Sequence, residues 1–231
     1  MDTKPKLLGI LDSITIILFV AATVRVFFFT PIEAVMGAVQ KVFYFHVSAG
    51  WVGMLGFLAA AITGACFLKT RNHKWDIASE AAVEIGMVFM LINIVTGAIW
   101  ARPIWNAWWT WDPRLTTSTV MELIYAAYLM LRKGVEEPDR RARFAAVYAI
   151  VGFISVPLTF FSIRIFRTIH PVIIGSGDPA TSGSFSMAPA MSQTFTFSLI
   201  VFTLVFVDLL WHRIRLGRLA DTVEQMKLSE L

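Results

Sequence analysis

The sequence predicts an all-α polytopic membrane protein, a single domain over residues 1–231 with six transmembrane helices and a tryptophan-rich outer interfacial segment. Three observations lead to this prediction. Hydrophobic residues make up 57% of the chain and charged residues only 16%, and the mean hydropathy is +0.67. A soluble domain is nearer about half apolar and about a quarter charged. In addition, six apolar stretches approach the ~20 residues that cross a bilayer, and Lys and Arg cluster in alternate loops.

This composition excludes several classes of protein. A soluble enzyme, a disordered protein and an ordinary nucleic-acid-binding protein all need more polar surface than this chain supplies. The pI of 9.4 therefore reflects membrane topology, and we expect membrane lipid and no nucleic acid among the partners. A single cysteine, Cys66, excludes an internal disulfide and CxxC chemistry.

The six predicted spans follow one another with short connections. In chain order they are 7–29, 45–68, 82–101, 116–131, 144–163 and 192–211. Each is long enough to cross the hydrocarbon core within an error of a few residues at its ends. We expect the first to be a retained helix, because its apolar run is too long for a signal peptide and no small-residue cleavage site follows it.

The distribution of basic residues predicts the orientation. Fourteen Lys and Arg residues fall in one set of segments, namely 1–6, 69–81, 132–143 and 212–231. The opposite set carries five, and consists of 30–44, 100–115 and 164–191. Short loops rich in Lys and Arg stay in the cytoplasm. We therefore expect both termini to be cytoplasmic and the second set of segments to lie on the outer side of the membrane.

Five of the eight tryptophans fall within twelve residues of one outer segment, at Trp100, Trp105, Trp108, Trp109 and Trp111. Read as a short helix, the segment would place Trp105, Trp108, Trp109 and Asp112 on one face. Tryptophan is enriched at membrane interfaces, so an aromatic belt is one interpretation. A belt, however, spreads aromatic residues over many helix ends. The other interpretation is an aromatic platform for a large planar ligand.

Arginines flank the platform and indicate the kind of ligand. Arg102 and Arg114 lie on either side of it. Stacking would hold an apolar plane, while guanidinium groups would hold carboxylates at its edge. Haem fits that description.

Two of the four histidines, His46 and His170, lie at the predicted outer side, while His73 and His212 lie at the inner side. A single interfacial histidine is usually an amphipathic helix end. A pair on either side of a tryptophan platform predicts two axial ligands to haem iron. If the fifth helix continues outward as far as Pro171, it places Arg164, Arg167 and His170 on one side.

Two further features leave alternatives open. After His46, a stripe of small residues that includes Gly50, Gly53 and Gly56 predicts close helix packing, a smooth wall for a macrocycle, or both. Glu122 lies about two turns inside the fourth span, where an ionisable group is a functional candidate. It would pair with Arg25 or line a ligand path.

The run 105–116, Trp-Asn-Ala-Trp-Trp-Thr-Trp-Asp-Pro-Arg-Leu-Thr, resembles the WWD signature of a superfamily of haem-handling proteins. Its Asp-x-Arg-Leu-Thr ending, with six spans in a chain of this size, is similar to the haem exporter protein C (CcmC) family of the cytochrome c maturation system. Asn106 and Ala107 stand where Gly-Thr is expected, and Pro113 stands where Ala is expected. All the tryptophans, Asp112 and Arg114 are in place.

The resemblance implies that haem b is the bound and transported ligand and that the chain is not an enzyme. It implies a bacterial inner membrane with two axial histidines at its outer, periplasmic face, and His46 and His170 match those positions. The implied partners are an ABC-type ATPase, its membrane subunit and a periplasmic haem chaperone. The predicted haem contacts are Arg102, Trp105, Trp108, Trp109, Trp111, Asp112, Arg114, Arg164 and Arg167.

Two alternatives to haem delivery remain at this point. In a b-type electron-transfer cytochrome, His73 and His212 would hold a second haem at the inner side. In a cytochrome c synthetase, as in other branches of the superfamily, the chain itself would attach haem. The short chain disfavours the synthetase, and the polar surroundings of His73 disfavour the cytochrome.

Overall fold

The computed structural model describes residues 4–34, 36–171 and 187–229, so that 172–186 of the predicted outer loop 164–191 lie outside the described residues. The chain folds as α1 (Lys6–Val24) continuing in a π-helix (Arg25–Phe29), a 3-10 turn (Ala38–Gln40), α2 (Lys41–Thr70), α3 (His73–Trp105), α4 (Pro113–Gly134), α5 (Pro138–Gly152), α6 (Ser155–Ile165) and α7 (Pro189–Ser229). The predicted all-α membrane fold is confirmed.

Five helical segments are long and apolar enough to cross a membrane. They are Lys6–Phe29, Ala38–Thr70, His73–Trp105, Pro138–Ile165 and Pro189–Lys227. The remaining helix, α4, has 22 residues and a length of about 33 Å at 1.5 Å per residue. Its outer half carries the polar run 116–119, which lowers its hydropathy. Because α4 packs against α3, α5 and α6, it completes the six spans.

The fifth span is made of two helices, with a turn at Phe153 and Ile154 between α5 and α6. Pro157, in the first turn of α6, explains the break. Proline has no N–H to donate to the carbonyl four residues earlier, and its ring clashes with that carbonyl. The regular helical hydrogen-bond pattern is therefore interrupted at this turn, and α6 packs against α4, where the Thr159 hydroxyl bonds to the Thr117 carbonyl oxygen.

Polar contacts gather at the two ends of the bundle. At one end, His73 bonds to Asp139 at 2.8 Å and His212 bonds to Asp12 at 2.9 Å. At the other end, the guanidinium of Arg25 donates to the Thr194 hydroxyl at 3.0 Å. This separation fits helices that cross in alternate directions. Of the two alternatives left open for Glu122, the described residues do not show the pairing with Arg25, because Arg25 instead bonds to Gln193 and Thr194 of α7.

Acidic residues on one face of α3 hold two other helices at the inner end. Asp76 and Glu80 accept hydrogen bonds from the buried guanidinium of Arg132 in α4, at 2.6 and 3.0 Å to Asp76 and 3.0 Å to Glu80. One turn further along, Glu84 pairs with Arg213 in α7. Residues four apart share one face of a helix. The face therefore ties α4 and α7 to α3.

The small residues of α2 allow it to approach α3 closely. A Cβ at position 56 would lie 2.7 Å from the Ala82 carbonyl oxygen and 2.7 Å from the Gly86 Cα. Position 53 is similarly tight, since a Cβ there would lie 2.8 Å from the Met90 Cε. Contacts this short leave room only for hydrogen atoms, as in small-residue packing between membrane helices. The prediction of close packing is confirmed.

Candidate functional site

A cavity of about 370 Å³ opens near the outer ends of α2, α3, α4, α6 and α7. Pockets that bind small molecules and cofactors have volumes of about 300–1,000 Å³. Its walls are mainly apolar and aromatic, and the polar groups among them include His46, Asn93, Arg114, Arg164 and His170. An apolar cavity with a few convergent polar groups is the usual form of a ligand site.

His46 lies in the second turn of α2, which begins at Lys41, four residues before the predicted start. Its Nδ1 donates to the Asn93 carbonyl oxygen at 2.9 Å, and the Asn93 amide donates to the His46 carbonyl oxygen at 2.7 Å. Nε2 has no hydrogen-bond partner in the described part of the chain. The Asn93 amide nitrogen also lies 3.1 Å from Nδ1. A backbone carbonyl can only accept, so the 2.9 Å contact favours the tautomer that carries its proton on Nδ1 and leaves the Nε2 lone pair for a ligand.

His170 reaches the same cavity from the opposite side, on the segment that follows α6. Its Nδ1 donates to the Pro171 carbonyl oxygen at 3.2 Å. Within residues 4–34, 36–171 and 187–229, its Nε2 also has no hydrogen-bond partner. Burial, together with the smaller effects of the nearby Arg114 and His46, lowers the pKa of His170 to about 3. The imidazole is therefore neutral near pH 7, as metal ligation requires.

A series of aromatic rings joins the two histidines. The ring of His46 stacks near Trp100 with centroids 6.3 Å apart, Trp100 meets Trp105 at 5.9 Å, and Trp105 meets His170 at 6.4 Å. Offset and edge-to-face contacts at these distances are favourable. Trp100 is 3% exposed, and both Trp100 and Trp105 line the cavity.

The four predicted arginine contacts divide into two pairs. Arg114 and Arg164 line the cavity, and a guanidinium N–H of Arg114 donates to the Thr159 carbonyl oxygen. Arg102 is exposed and donates to the Asn106 side chain, and the exposed Arg167 does not line the cavity. The geometry therefore offers two cations, rather than four, to an acidic ligand.

The tryptophan segment is not the short helix that the spacing predicted. The helix α3 ends at Trp105, Asn106 adopts a left-handed conformation with φ of 54°, and the chain is extended or bent as far as Asp112. Asn is one of the few residues that adopt this conformation readily, as does the Gly expected there. Trp109 lines the cavity, while Trp108 and Trp111 are 60% and 79% exposed and do not.

The outward extension of the fifth helix is also wrong, because α6 ends at Ile165, six residues before Pro171. Arg167 and His170 therefore lie on an irregular segment. Asp112 holds this segment by accepting from the Thr168 hydroxyl at 2.6 Å and from the Ile169 N–H at 2.9 Å. Asp112 does not line the cavity, and its contact with haem stays a prediction.

Two residues of the site were not identified from the sequence alone. Asn93 bonds to His46 from α3, and Gly97 lies beneath the His46 ring, where a Cβ would be 2.9 Å from Cε1. Asn93 is a polar residue within an otherwise apolar span, which is a signal for a functional partner. Nothing in the sequence marked Gly97 as a residue of the site, because glycine is common in membrane helices.

The fold and this cavity define a class of protein: a multi-pass helical membrane protein with an aromatic ligand cavity near one surface. Comparison with known proteins identifies the family. The family model of Heme exporter protein C matches residues 1–229, and the chain belongs to that family. The resemblance inferred from the sequence is therefore confirmed.

Several relatives carry the same name. Heme exporter protein C of Rhodobacter capsulatus is 36% identical over 162 residues, which are 70% of this chain and 67% of that protein. The protein of Bradyrhizobium diazoefficiens is 32% identical over 206 residues, 87% of this chain and 76% of its own. That of Escherichia coli K12 is 28% identical over 189 residues, 82% and 74% of the two chains.

Membership of the family gives the chain a role in haem export and handling for cytochrome c maturation. The chain is a membrane subunit of a haem exporter complex and not an enzyme. The synthetase alternative is therefore set aside.

Proposed function

We propose that this chain holds haem b in the cavity at the periplasmic face of the inner membrane and delivers it to a periplasmic haem chaperone. His46 and His170 are the axial ligands of the iron. One observation carries the proposal: two histidines from different elements line one cavity, each with Nδ1 bonded to a backbone carbonyl and Nε2 without a partner among the described residues. Histidine ligands of metals are commonly oriented in this way.

The remaining walls suit the rest of the ligand. Trp105 and Trp109 offer ring surfaces to a macrocycle. Arg114 and Arg164 offer guanidinium groups to the propionates at its edge. Trp108 and Trp111 are exposed at the same face, and in this proposal they meet the chaperone or the lipid interface. An ABC-type ATPase and its membrane subunit supply the energy for release, and both termini are cytoplasmic.

The contacts of the two inner histidines argue against a second haem. His73 pairs with Asp139, whereas His212 pairs with Asp12 and lies 3.7 Å from Asp208. They have different partners on different helices, so the arrangement gives no support to a second haem between them. A transmembrane electron carrier is correspondingly disfavoured.

A haem count and visible spectrum of the detergent-purified protein test the proposal. We expect one haem per chain with a six-coordinate spectrum. Two haems per chain would instead indicate the transmembrane electron carrier. If no haem binds even when haemin is added, the tryptophans are better interpreted as an aromatic belt at the membrane interface.

We expect Arg114→Gln to weaken haem binding where Arg102→Gln does not. Arg114 lines the cavity and would face a propionate, whereas Arg102 is exposed and bonds to Asn106. A charge-assisted hydrogen bond contributes about 1.5–3 kcal/mol, so haemin titration of the Arg114 variant should show a dissociation constant raised about tenfold or more. Equal effects of the two substitutions would contradict this assignment.

We expect Gly97→Ala to displace the ring of His46, the proposed iron ligand. The added methyl group would press on the His46 ring, since its Cβ would lie 2.9 Å from Cε1. Loss of a group that orients a metal ligand lowers affinity about 10–100-fold. The haem spectrum and haemin titration measure the change. Gly134→Ala is the control, because nothing lies within 4 Å of a Cβ there.

A further inference from the structure

The segment that carries His170 is held by a short chain of hydrogen bonds. The His170 N–H donates to the Thr168 hydroxyl oxygen at 3.0 Å, and that hydroxyl donates to the Asp112 carboxylate at 2.6 and 2.7 Å. The Ile169 N–H donates to the same carboxylate at 2.9 Å. Asp112 is 8% exposed, so water competes little for these bonds.

Asp112 also fixes the other side of the cavity. Its Oδ1 accepts from the Arg114 N–H at 2.9 Å and caps the first turn of α4. One carboxylate therefore joins the start of α4, which carries Arg114, to the segment that carries His170. Three donors approach its two oxygens, namely the N–H groups of Arg114 and Ile169 and the hydroxyl of Thr168.

The two histidines are anchored in different ways. His46 lies inside α2, a helix of 30 residues that packs tightly on α3, and its ring bonds to Asn93. His170 lies on irregular chain after α6 and depends on the contacts of Thr168 and Asp112. Irregular segments open at lower free energy than packed helices.

We infer that His46 is the fixed ligand and His170 the releasable ligand, and that Asp112 and Thr168 are the positioning residues that set how readily His170 leaves. This inference rests on the proposed function. On handover, the bond between iron and the His170 Nε2 breaks and its electron pair stays on the imidazole. A donor side chain of the accepting protein takes the open position, and no electron or proton is transferred. His46 holds the haem until then.

The test uses the full chain, purified in detergent and loaded with one equivalent of haemin. Thr168→Val keeps the shape of the side chain and removes its hydroxyl, whereas Thr168→Ser keeps the hydroxyl. Thr119→Val is the matched control, because the Thr119 hydroxyl bonds to the Leu115 carbonyl of its own helix and lies outside the cavity. The readouts are the visible spectrum and the rate of haem transfer to excess apomyoglobin.

We expect Thr168→Val to transfer haem about tenfold faster, because a hydrogen bond to a charged group is lost. Its spectrum should contain a five-coordinate component that added imidazole removes. Thr168→Ser and Thr119→Val should behave as the wild type. Asp112→Asn should resemble Thr168→Val, since the amide nitrogen that replaces one carboxylate oxygen cannot accept a hydrogen bond.

A double-substitution cycle identifies the ligand that is affected. Thr168→Val should add nothing to His170→Ala, because residues that act through one another are not additive. It should add its full effect to His46→Ala. Full additivity with His170→Ala, or a wild-type spectrum and transfer rate in Thr168→Val, would overturn the inference and leave the proposed function intact. A wild-type chain that binds no haem would overturn both.

Discussion

Replacing either His46 or His170 with alanine is expected to lower haem affinity about 100-fold or more, since loss of even an outer partner of a metal ligand costs about 10–100-fold. Each substitution removes one of the two imidazoles that line the cavity. The visible spectrum should change from six-coordinate to five-coordinate. Haemin titration and the haem content of the purified protein measure the loss.

The inner histidines provide matched controls. His73→Ala and His212→Ala remove imidazoles that pair with carboxylates away from the cavity, so the haem count and spectrum should stay those of the wild type. Added imidazole should restore six-coordinate haem to His170→Ala. A spectrum that depends on His73 would instead assign a haem to the inner side and contradict the proposed site.

Arg132→Met is expected to destabilise the protein by about 3–5 kcal/mol, the usual effect of removing one partner from a buried ion pair. Asp76 and Arg132 are each 7% exposed and form a two-pronged pair, with Glu80 as the second carboxylate. Without the guanidinium, these carboxylates are left without a counter-charge. Thermal unfolding of the detergent-purified protein measures the effect. The readout is the fraction of the protein that still elutes as a single species after heating.

The neighbouring residue gives the control for this prediction. Lys133→Met removes an exposed charge from the same turn of α4 and should leave the unfolding temperature nearly unchanged. Adding Asp76→Asn to Arg132→Met should recover part of the lost stability, because it removes the uncompensated charge. If the single variant unfolds like the wild type, the ion pair does not hold α3 to α4.

Features set by composition along the chain were predictable from the sequence. The apolar runs predicted the membrane-spanning helices, because a bilayer requires a similar apolar length of every helix that crosses it. The small-residue stripe predicted the close approach of α2 to α3, since a glycine such as Gly56 lets two helix backbones come close together. The convergence of His46 and His170 followed from topology, because both segments were predicted on the same side of the membrane.

Features set by tertiary contacts were not predictable. Helical spacing predicted that Trp105, Trp108 and Asp112 share one helix face. However, α3 ends at Trp105, so Trp108 and Asp112 are not part of the helix. Likewise, periodicity extended α6 beyond Ile165. There the bonds of Asp112 to Thr168 and Ile169 stabilise an irregular path instead. Which tryptophan faces the cavity depends on these turns.

The close contact of α2 with α3 also bears on how the protein assembles during synthesis. The two helices are joined by a connection of two residues, Arg71 and Asn72, so they can pair as a hairpin once both have entered the bilayer. A chain is made from its N-terminus. The wall that bears His46 and Asn93 can therefore form while α4 is still on the ribosome. His170 reaches its place only after α6 has inserted, and α7, which adds Phe195 and Leu199 to the lining, completes the cavity last.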